Sequence, residues 1–116
     1  MQRERLYQAD IVEAADAIAR FIAGIEEEQF VSNDLVRSAV LHKLTVIGEA
    51  VRQLPPELRS RHPVVPWRSV VAFRNIAVHA YFSVDWSIVW STATHDVPIL
   101  RDQVAAIQEA LPPEGP

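Results

Sequence analysis

The fold is decided by residues 33–54, which read NDLVRSAVLHKLTVIGEAVRQL. At about 100° per residue, apolar side chains in this stretch gather on one broad face of a helix. That face consists of Leu35, Val36, Ala39, Val40, Val46, Ile47, Ala50 and Val51. Ser32 and Asn33 are both good N-caps, and Pro55 predicts that the helix ends near Leu54.

The opposite side of this helix carries a narrow polar stripe. It consists of Ser38, His42, Thr45, Glu49 and Arg52. Gly48 lies inside the helix, where it costs about 1 kcal/mol relative to alanine. A glycine at such a position either allows a second helix to approach closely or is simply tolerated, and the sequence leaves both readings open.

Further helices are predicted on both sides of this segment. Residues 3–24 form a long amphipathic helix, followed by an acidic solvated turn at residues 26–28. Residues 57–61 favour one helical turn inside a proline-rich connector.

The second half of the chain predicts three more helical stretches. One runs from Trp67 to about residue 79 or 81, and another starts at Asp85 as N-cap. Pro98 breaks or kinks that helix, or Asp96 caps a fresh one that reaches about residue 110. With no convincing strand pattern, we expect an all-α protein, an antiparallel bundle of four to five helices. Residues 1–111 are expected to form one domain, and residues 112–116 a disordered tail.

Composition narrows the functional classes. The 116 residues include no cysteine, which excludes disulfides, thiolate metal sites and cysteine nucleophiles. No apolar signal core follows Met1, and no apolar run approaches the ~20 residues of a membrane helix, so a cytoplasmic protein is expected. The formal net charge of −4 argues against general charge-driven binding of nucleic acid. Any contact with RNA must therefore be made by a local basic patch, for which Arg59, Arg61 and Arg68 are candidates.

The chemistry-bearing stretch is residues 73–81, FRNIAVHAY. Asn75 and His79 are four residues apart, so their side chains can touch on a helix, with Arg74 beside them. An imidazole can exchange protons near neutral pH, and a guanidinium can hold a phosphate with two hydrogen bonds. In RNA the 2′-hydroxyl is a built-in nucleophile, so these groups suit phosphodiester cleavage without a metal or cofactor. One histidine per chain would have to act as both general acid and general base. A dimer supplies two histidines and two arginines, so a dimer is expected.

Simpler readings stand beside this one. A histidine near a helix C-terminus is favoured by the helix dipole alone, and exposed arginines are commonly just solvated. His42 either touches RNA or lies on a plain surface. The three tryptophans are better explained by core packing than by base stacking, and no pair of histidines and acids has metal-ligand spacing.

The same stretch resembles a known family. Arg74-Asn75-x-x-x-His79-x-Tyr81 matches the R-x4-6-H-x-Y signature of HEPN domains, and its surroundings are similar to the HepT branch. Supporting matches, in chain order, are VIGEA at residues 46–50, VPW at 65–67, YF at 81–82, DW at 85–86 and DVP at 96–98.

The resemblance implies an all-α homodimeric toxin that cleaves RNA without metal, in a type VII-like toxin–antitoxin system. An MNT-type nucleotidyltransferase antitoxin neutralises such toxins, in some cases by transferring AMP to the motif tyrosine. Carried over, Arg74 and His79 become the catalytic pair, Asn75 a supporting residue and Tyr81 the AMP acceptor. Many relatives have an acidic residue where this chain has Ala80. Arg68 and His42 are the candidate RNA-binding residues.

Two other functions compete with the toxin. A non-catalytic HEPN module would use the same cleft to hold a nucleotide or RNA without cutting it. A purely structural partner of the nucleotidyltransferase would have no need of the Arg74, Asn75, His79 and Tyr81 set. Substitution of His79 separates cleavage from binding.

Overall fold

The computed structural model describes residues 2–76 and 85–110, and all regular secondary structure in these ranges is helical. The helices are α1 (Gln2–Ile22), α2 (Glu27–Val31), α3 (Asp34–Gln53), α4 (Pro56–Arg61), α5 (Trp67–Val71), α6 (Trp86–Ser91) and α7 (Val97–Ala110), and a π-helical turn (Thr92–Asp96) joins the last two. Residues 73–76 are also helical. The predicted all-α class is confirmed, and one-turn helices bring the number of segments above the four or five expected.

The three long helices form the core of the bundle. Helix α1 packs along α3 on one side and along α7 on the other. The start of α1 lies against the end of α3, and Asp16 of α1 contacts Arg101 of α7, so α1 is antiparallel to both. The fully buried side chains between these helices include Ile11, Ile18, Leu44, Ile47, Val51, Leu100 and Val104.

Two predicted caps hold the ends of helices. The Oδ1 atom of Asn33 accepts a hydrogen bond from the backbone N–H of Val36 at 3.1 Å, which decides between the two candidate caps of α3. The Oδ1 atom of Asp85 accepts from the backbone N–H of Ile88 at 3.3 Å at the start of α6. Leu54 ends α3, as the following proline predicts.

The acidic residues 26–28 are exposed to solvent, as their charges predict, but they lead into a short helix where a turn was expected. Residues 27–31 form α2, whose first turn is closed by the Gln29 side chain accepting from the backbone N–H of Glu26 at 2.8 Å. Phe30 is fully buried, with its ring centroid 5.2 Å from that of Trp90 and 6.3 Å from that of Trp86. The burial of this one aromatic ring draws the acidic segment into the fold.

Pro98 neither ends the helix nor follows a new cap at Asp96. The chain stays helical from residue 86 to 110 because residues 92–96 widen into a π turn, in which the backbone N–H of Val97 bonds to the carbonyl of Thr92. A proline clashes with the carbonyl four residues earlier, and the wider turn accommodates it.

The predicted third segment is less regular than expected. Helix α5 ends at Val71, and Ala72 remains in a right-handed conformation before the chain is helical again at residues 73–76. Val70 and Phe73 are buried in the core. The expected end of this helix at residues 79–81 and the predicted tail at 112–116 lie outside the described residues.

Candidate active site

Gly48 fixes the distance between α3 and the segment that carries Arg74. A Cβ atom at position 48 would lie 3.1 Å from the backbone nitrogen of Arg74, 3.2 Å from its Cβ and 3.2 Å from the carbonyl oxygen of Val71. Two of these three neighbours are main-chain atoms, which cannot swing aside as a flexible side chain does. The glycine is therefore present because two backbones approach closely, which decides the question left open by the sequence.

The same approach brings Glu49 to Arg74. The Nε atom of Arg74 lies 2.9 Å from Oε1 of Glu49, and Arg52 on the next turn of α3 lies 3.7 Å from the same oxygen. That oxygen is buried and accepts no aligned hydrogen bond among the described residues, so the contact is an ion pair. The side chains of Arg74 and Glu49 are 49% and 40% exposed, so the guanidinium remains accessible from solvent.

The other predicted site residues in the described ranges are exposed. Asn75 follows Arg74 directly, and Arg68 lies on α5, six residues before it in the chain. His42 is exposed on α3, two helical turns before Glu49, which is about 10 Å along the axis. Arg74 and Asn75 are thus both exposed, and His42 lies away from the ion pair.

Residues 77–81 of the predicted motif region, among them His79, Ala80 and Tyr81, lie outside the described residues. The expected contact between Asn75 and His79 and the expected role of Tyr81 as AMP acceptor therefore stay predictions. Glu49, in contrast, lies on the predicted polar stripe of its helix, and the sequence pattern alone indicates no role for it. Its position directly after Gly48 was the available signal, because a close-approach glycine brings its neighbours to the facing segment.

Glu49 also borders a groove of ≈ 310 Å³ between α1 and α3. The remaining lining residues are Tyr7, Asp10, Thr45, Val46, Ala50 and Gln53. Two residues of the polar stripe of α3, Thr45 and Glu49, thus line this groove, and the Glu49 carboxylate contacts Arg74.

The tryptophans in the structure are packing residues, as expected. Trp67 is 8% exposed, and its indole N–H donates to the carbonyl oxygens of Arg59 and His62, both at 3.0 Å. Trp86 and Trp90 pack against the core, and the guanidinium of Arg37 lies 4.5 Å from the ring centre of Trp86. The indole rings therefore contribute to the packing of the fold.

Positive charge is concentrated in the stretch of sequence that ends at Arg74. Residues 52–74 hold five of the eleven lysines and arginines and only one of the fifteen acidic residues. A segment of this composition can attract phosphates locally although the whole chain is acidic. Among residues 2–76 and 85–110, no three His, Asp or Glu side chains come together in a way that could hold a metal ion. Within the same ranges, no helix is both long and apolar enough to cross a membrane.

Residues 11–107 match the family model described as "Ribonuclease HepT-like". The chain is a member of the HepT-like ribonuclease family. A relative from Methanocaldococcus jannaschii, "Putative RNase MJ1380", is 36% identical over 98 residues, which is 84% of this chain and 90% of the relative. "Putative RNase TTE0752" of Caldanaerobacter subterraneus is 35% identical over 92% of this chain and 96% of its own length.

A third relative carries the family name itself. "Probable ribonuclease HepT" of Thermococcus cleftensis is 34% identical over 103 residues, covering 89% of this chain and 94% of that protein. No solved structure matches the chain. Membership of the HepT-like family confirms the predicted resemblance and the predicted class of enzyme, a ribonuclease.

Proposed function

We propose that this HepT-like protein is a metal-independent endoribonuclease, the toxin of a type VII-like toxin–antitoxin system, with Arg74 and His79 as its catalytic pair. One observation carries the proposal. Arg74 is held by its inner nitrogen, 2.9 Å from Glu49, while its side chain stays half exposed beside an arginine-rich segment. A guanidinium in this arrangement can receive a phosphodiester from solvent.

The reaction uses the substrate's own nucleophile. The RNA 2′-hydroxyl attacks the adjacent phosphorus, the bond from phosphorus to the 5′-oxygen breaks, and the 5′-oxygen takes up a proton. His79 serves as the group that removes or supplies a proton, since imidazole titrates near neutral pH. Arg74 stabilises the negative charge that develops on the phosphoryl oxygens. This route leaves a cyclic phosphate and a 5′-hydroxyl.

A homodimer gives the reaction a full set of groups. Proton removal from the 2′-hydroxyl and proton delivery to the 5′-oxygen are two tasks, and each copy of the chain has one His79. Two copies that face each other across a cleft supply two histidines and two Arg74 side chains. Asn75, exposed beside Arg74, supports one of these groups through its amide.

RNA reaches the cleft over a basic surface. Arg68 is exposed close to Arg74 in the chain and supplies a phosphate contact. His42, also exposed, contributes at a greater distance from the ion pair. The concentration of arginines in residues 52–74 supports local binding despite the net charge of −4.

An MNT-type nucleotidyltransferase serves as the antitoxin. Transfer of AMP from ATP to the Tyr81 oxygen, with release of pyrophosphate, would put a bulky anion two residues from His79. That anion would block RNA sterically and compete for the guanidinium of Arg74.

The test is incubation of the purified protein with labelled RNA in excess EDTA, beside His79→Ala and Arg74→Ala variants. Cleavage by wild type alone, giving cyclic phosphate ends, supports the proposal. Cleavage that stops on EDTA addition overturns metal independence. If a folded, unmodified wild-type protein binds RNA without cutting it, the chain is a non-catalytic nucleotide- or RNA-binding module instead. Mass measurement of Tyr81 before and after incubation with the nucleotidyltransferase and ATP tests the modification.

A further inference from the structure

We propose that Glu49 is a positioning residue, which holds Arg74 with the outer end of its guanidinium turned toward the RNA phosphate. The inference rests on the proposed function of Arg74 and adds a residue from another helix to that site. Glu49 acts through Arg74 and does not itself touch the substrate.

The atoms in contact support this role. Glu49 meets Arg74 at Nε, the inner nitrogen, at 2.9 Å. The two outer nitrogens, NH1 and NH2, carry four of the five N–H donors. They form no hydrogen bond or ion pair with the described residues, and so they can bind a phosphate. A guanidinium that uses those two nitrogens can bind two phosphoryl oxygens side by side. The ion pair therefore favours one orientation of the guanidinium and leaves its two outer nitrogens able to bind a phosphate.

The carboxylate is held on a rigid support. Its neighbours on α3, Ile47 and Val51, are fully buried, so the helix cannot slide without loss of core contacts. Gly48 brings the backbone of α3 against the main chain at Arg74, which fixes the register of the two segments. Glu49 is thus presented to the arginine from a fixed distance.

The pair is poorly suited to a purely structural role. Both side chains are roughly half exposed, and ion pairs of that exposure add little to folding. Arg52 gives Glu49 a second cation at 3.7 Å, so loss of Arg74 alone would not leave the carboxylate without a partner. An effect of Glu49 on cleavage should therefore be separable from its effect on stability.

The chain offers a matched control for this separation. Asp16 of α1 contacts Nε of Arg101 of α7 at 3.0 Å, and these side chains are 44% and 39% exposed. This pair also joins two helices through an arginine Nε, and neither residue belongs to the proposed site. Asp16→Ala therefore removes a carboxylate of similar exposure elsewhere in the same bundle, one that also accepts a hydrogen bond from its arginine.

The experiment compares Glu49→Ala, Glu49→Gln and Asp16→Ala in steady-state RNA cleavage and in urea unfolding. We expect Glu49→Ala to lower kcat by about 10- to 100-fold, since small errors of position cost factors of this order. Its KM for RNA should stay unchanged or fall, because a negative charge near the phosphate has been removed. Glu49→Gln keeps an acceptor oxygen in place, so the decrease in kcat should be clearly smaller than in Glu49→Ala. Asp16→Ala should lower stability about as much as Glu49→Ala and leave kcat at the wild-type value.

A proton-transfer role for Glu49 would give a different result. If the carboxylate were a general base, Glu49→Gln would be as inactive as Glu49→Ala, and the acidic limb of the pH profile of kcat would disappear. Positioning leaves the shape of that profile unchanged in Glu49→Gln. Equal kcat values for wild type and Glu49→Ala, or an equal loss in Asp16→Ala, would overturn the inference.

A second measurement does not depend on cleavage. The NMR relaxation of the Arg74 Nε–H group reports how firmly the guanidinium is held. We expect this group to be ordered in wild type and Asp16→Ala and mobile in Glu49→Ala. If wild type binds RNA but does not cut it, the proposed ribonuclease function fails, and this measurement with RNA titrations of the same variants still decides whether Glu49 positions Arg74. Unchanged order and unchanged RNA affinity in Glu49→Ala would then refute it.

Discussion

Replacement of Gly48 by alanine tests whether the close approach of two backbones builds the site. The new methyl carbon would meet Arg74 and Val71 at 3.1–3.2 Å, whereas ordinary contacts of a Cβ atom lie at 3.4–4 Å. Two of the atoms it meets belong to the main chain. The substitution can therefore be accommodated only if α3 and the Arg74 segment move apart by a few tenths of an ångström.

The expected loss of stability is the difference of two effects. Overfilling a packed contact costs about 1–3 kcal/mol, while alanine in place of glycine returns about 1 kcal/mol of helix propensity. Gly48→Ala should thus destabilise the protein by about 1 kcal/mol, or lower Tm by about 4 °C in a chain of this size. Gly48→Val should cost more, because two further methyl groups must fit.

Urea unfolding followed by tryptophan fluorescence measures the stability, and RNA cleavage at a temperature where every variant is folded measures kcat. We expect kcat to fall with Gly48→Ala because the displaced segment carries Arg74. Gly24→Ala is the control, since Gly24 has a φ of 75° and open space around it. Backbone strain there should cost a similar 1–2 kcal/mol or so without changing kcat. A Gly48→Ala protein that is more stable than wild type and cleaves RNA equally fast would refute the reasoning.

Three further predictions concern single contacts. Trp67→Phe removes a donor that two main-chain carbonyls share at 3.0 Å, and should cost about 1–2 kcal/mol in urea unfolding. Arg74→Lys keeps the charge but loses the fork, so kcat/KM for RNA should fall about 10-fold or more while Tm changes little. The hydrogen bond and charge of Asp16 raise the pKa of Arg101. An arginine whose pKa is raised in the folded state stabilises the fold at every pH below the ordinary arginine pKa. This stabilisation is lost only when the pH rises through the raised pKa. The Tm difference between wild type and Asp16→Asn should therefore stay constant between about pH 6 and 10, and a difference that vanishes within that range would contradict this account.

The long helices and their ends could be predicted because the information that sets them is local. The period of apolar residues in residues 33–54 defines the buried face of α3, and Asn33 and Asp85 cap helices through hydrogen bonds to residues three positions away. The motif at Arg74 identified the family without any knowledge of the fold, since it depends only on the order of residues in the chain.

Features that depend on distant partners could not be predicted in the same way. The charges of residues 26–28 predict the exposure that the structure shows, but they do not predict the helix that follows, in which Phe30 is buried against Trp90, far away in the sequence. Pro98 suggested a break, but a π turn absorbs it within a helix that packs along α1. The ion pair of Glu49 with Arg74 joins residues 25 positions apart, and no periodicity within either segment relates them.

That ion pair also bears on how an acidic protein can act on RNA. A carboxylate beside the phosphate-binding arginine lowers the attraction of the site for RNA, so it is unfavourable for binding in the ground state. It is favourable for rate if it aligns the guanidinium with the charge that develops on the phosphoryl oxygens, because only interactions stronger in the transition state accelerate the chemical step. Removal of Glu49 should then weaken catalysis while RNA binding is kept or improved. If the surface served RNA affinity alone, neutralising the carboxylate would improve catalysis as well as binding, so the direction of the change in kcat distinguishes the two cases.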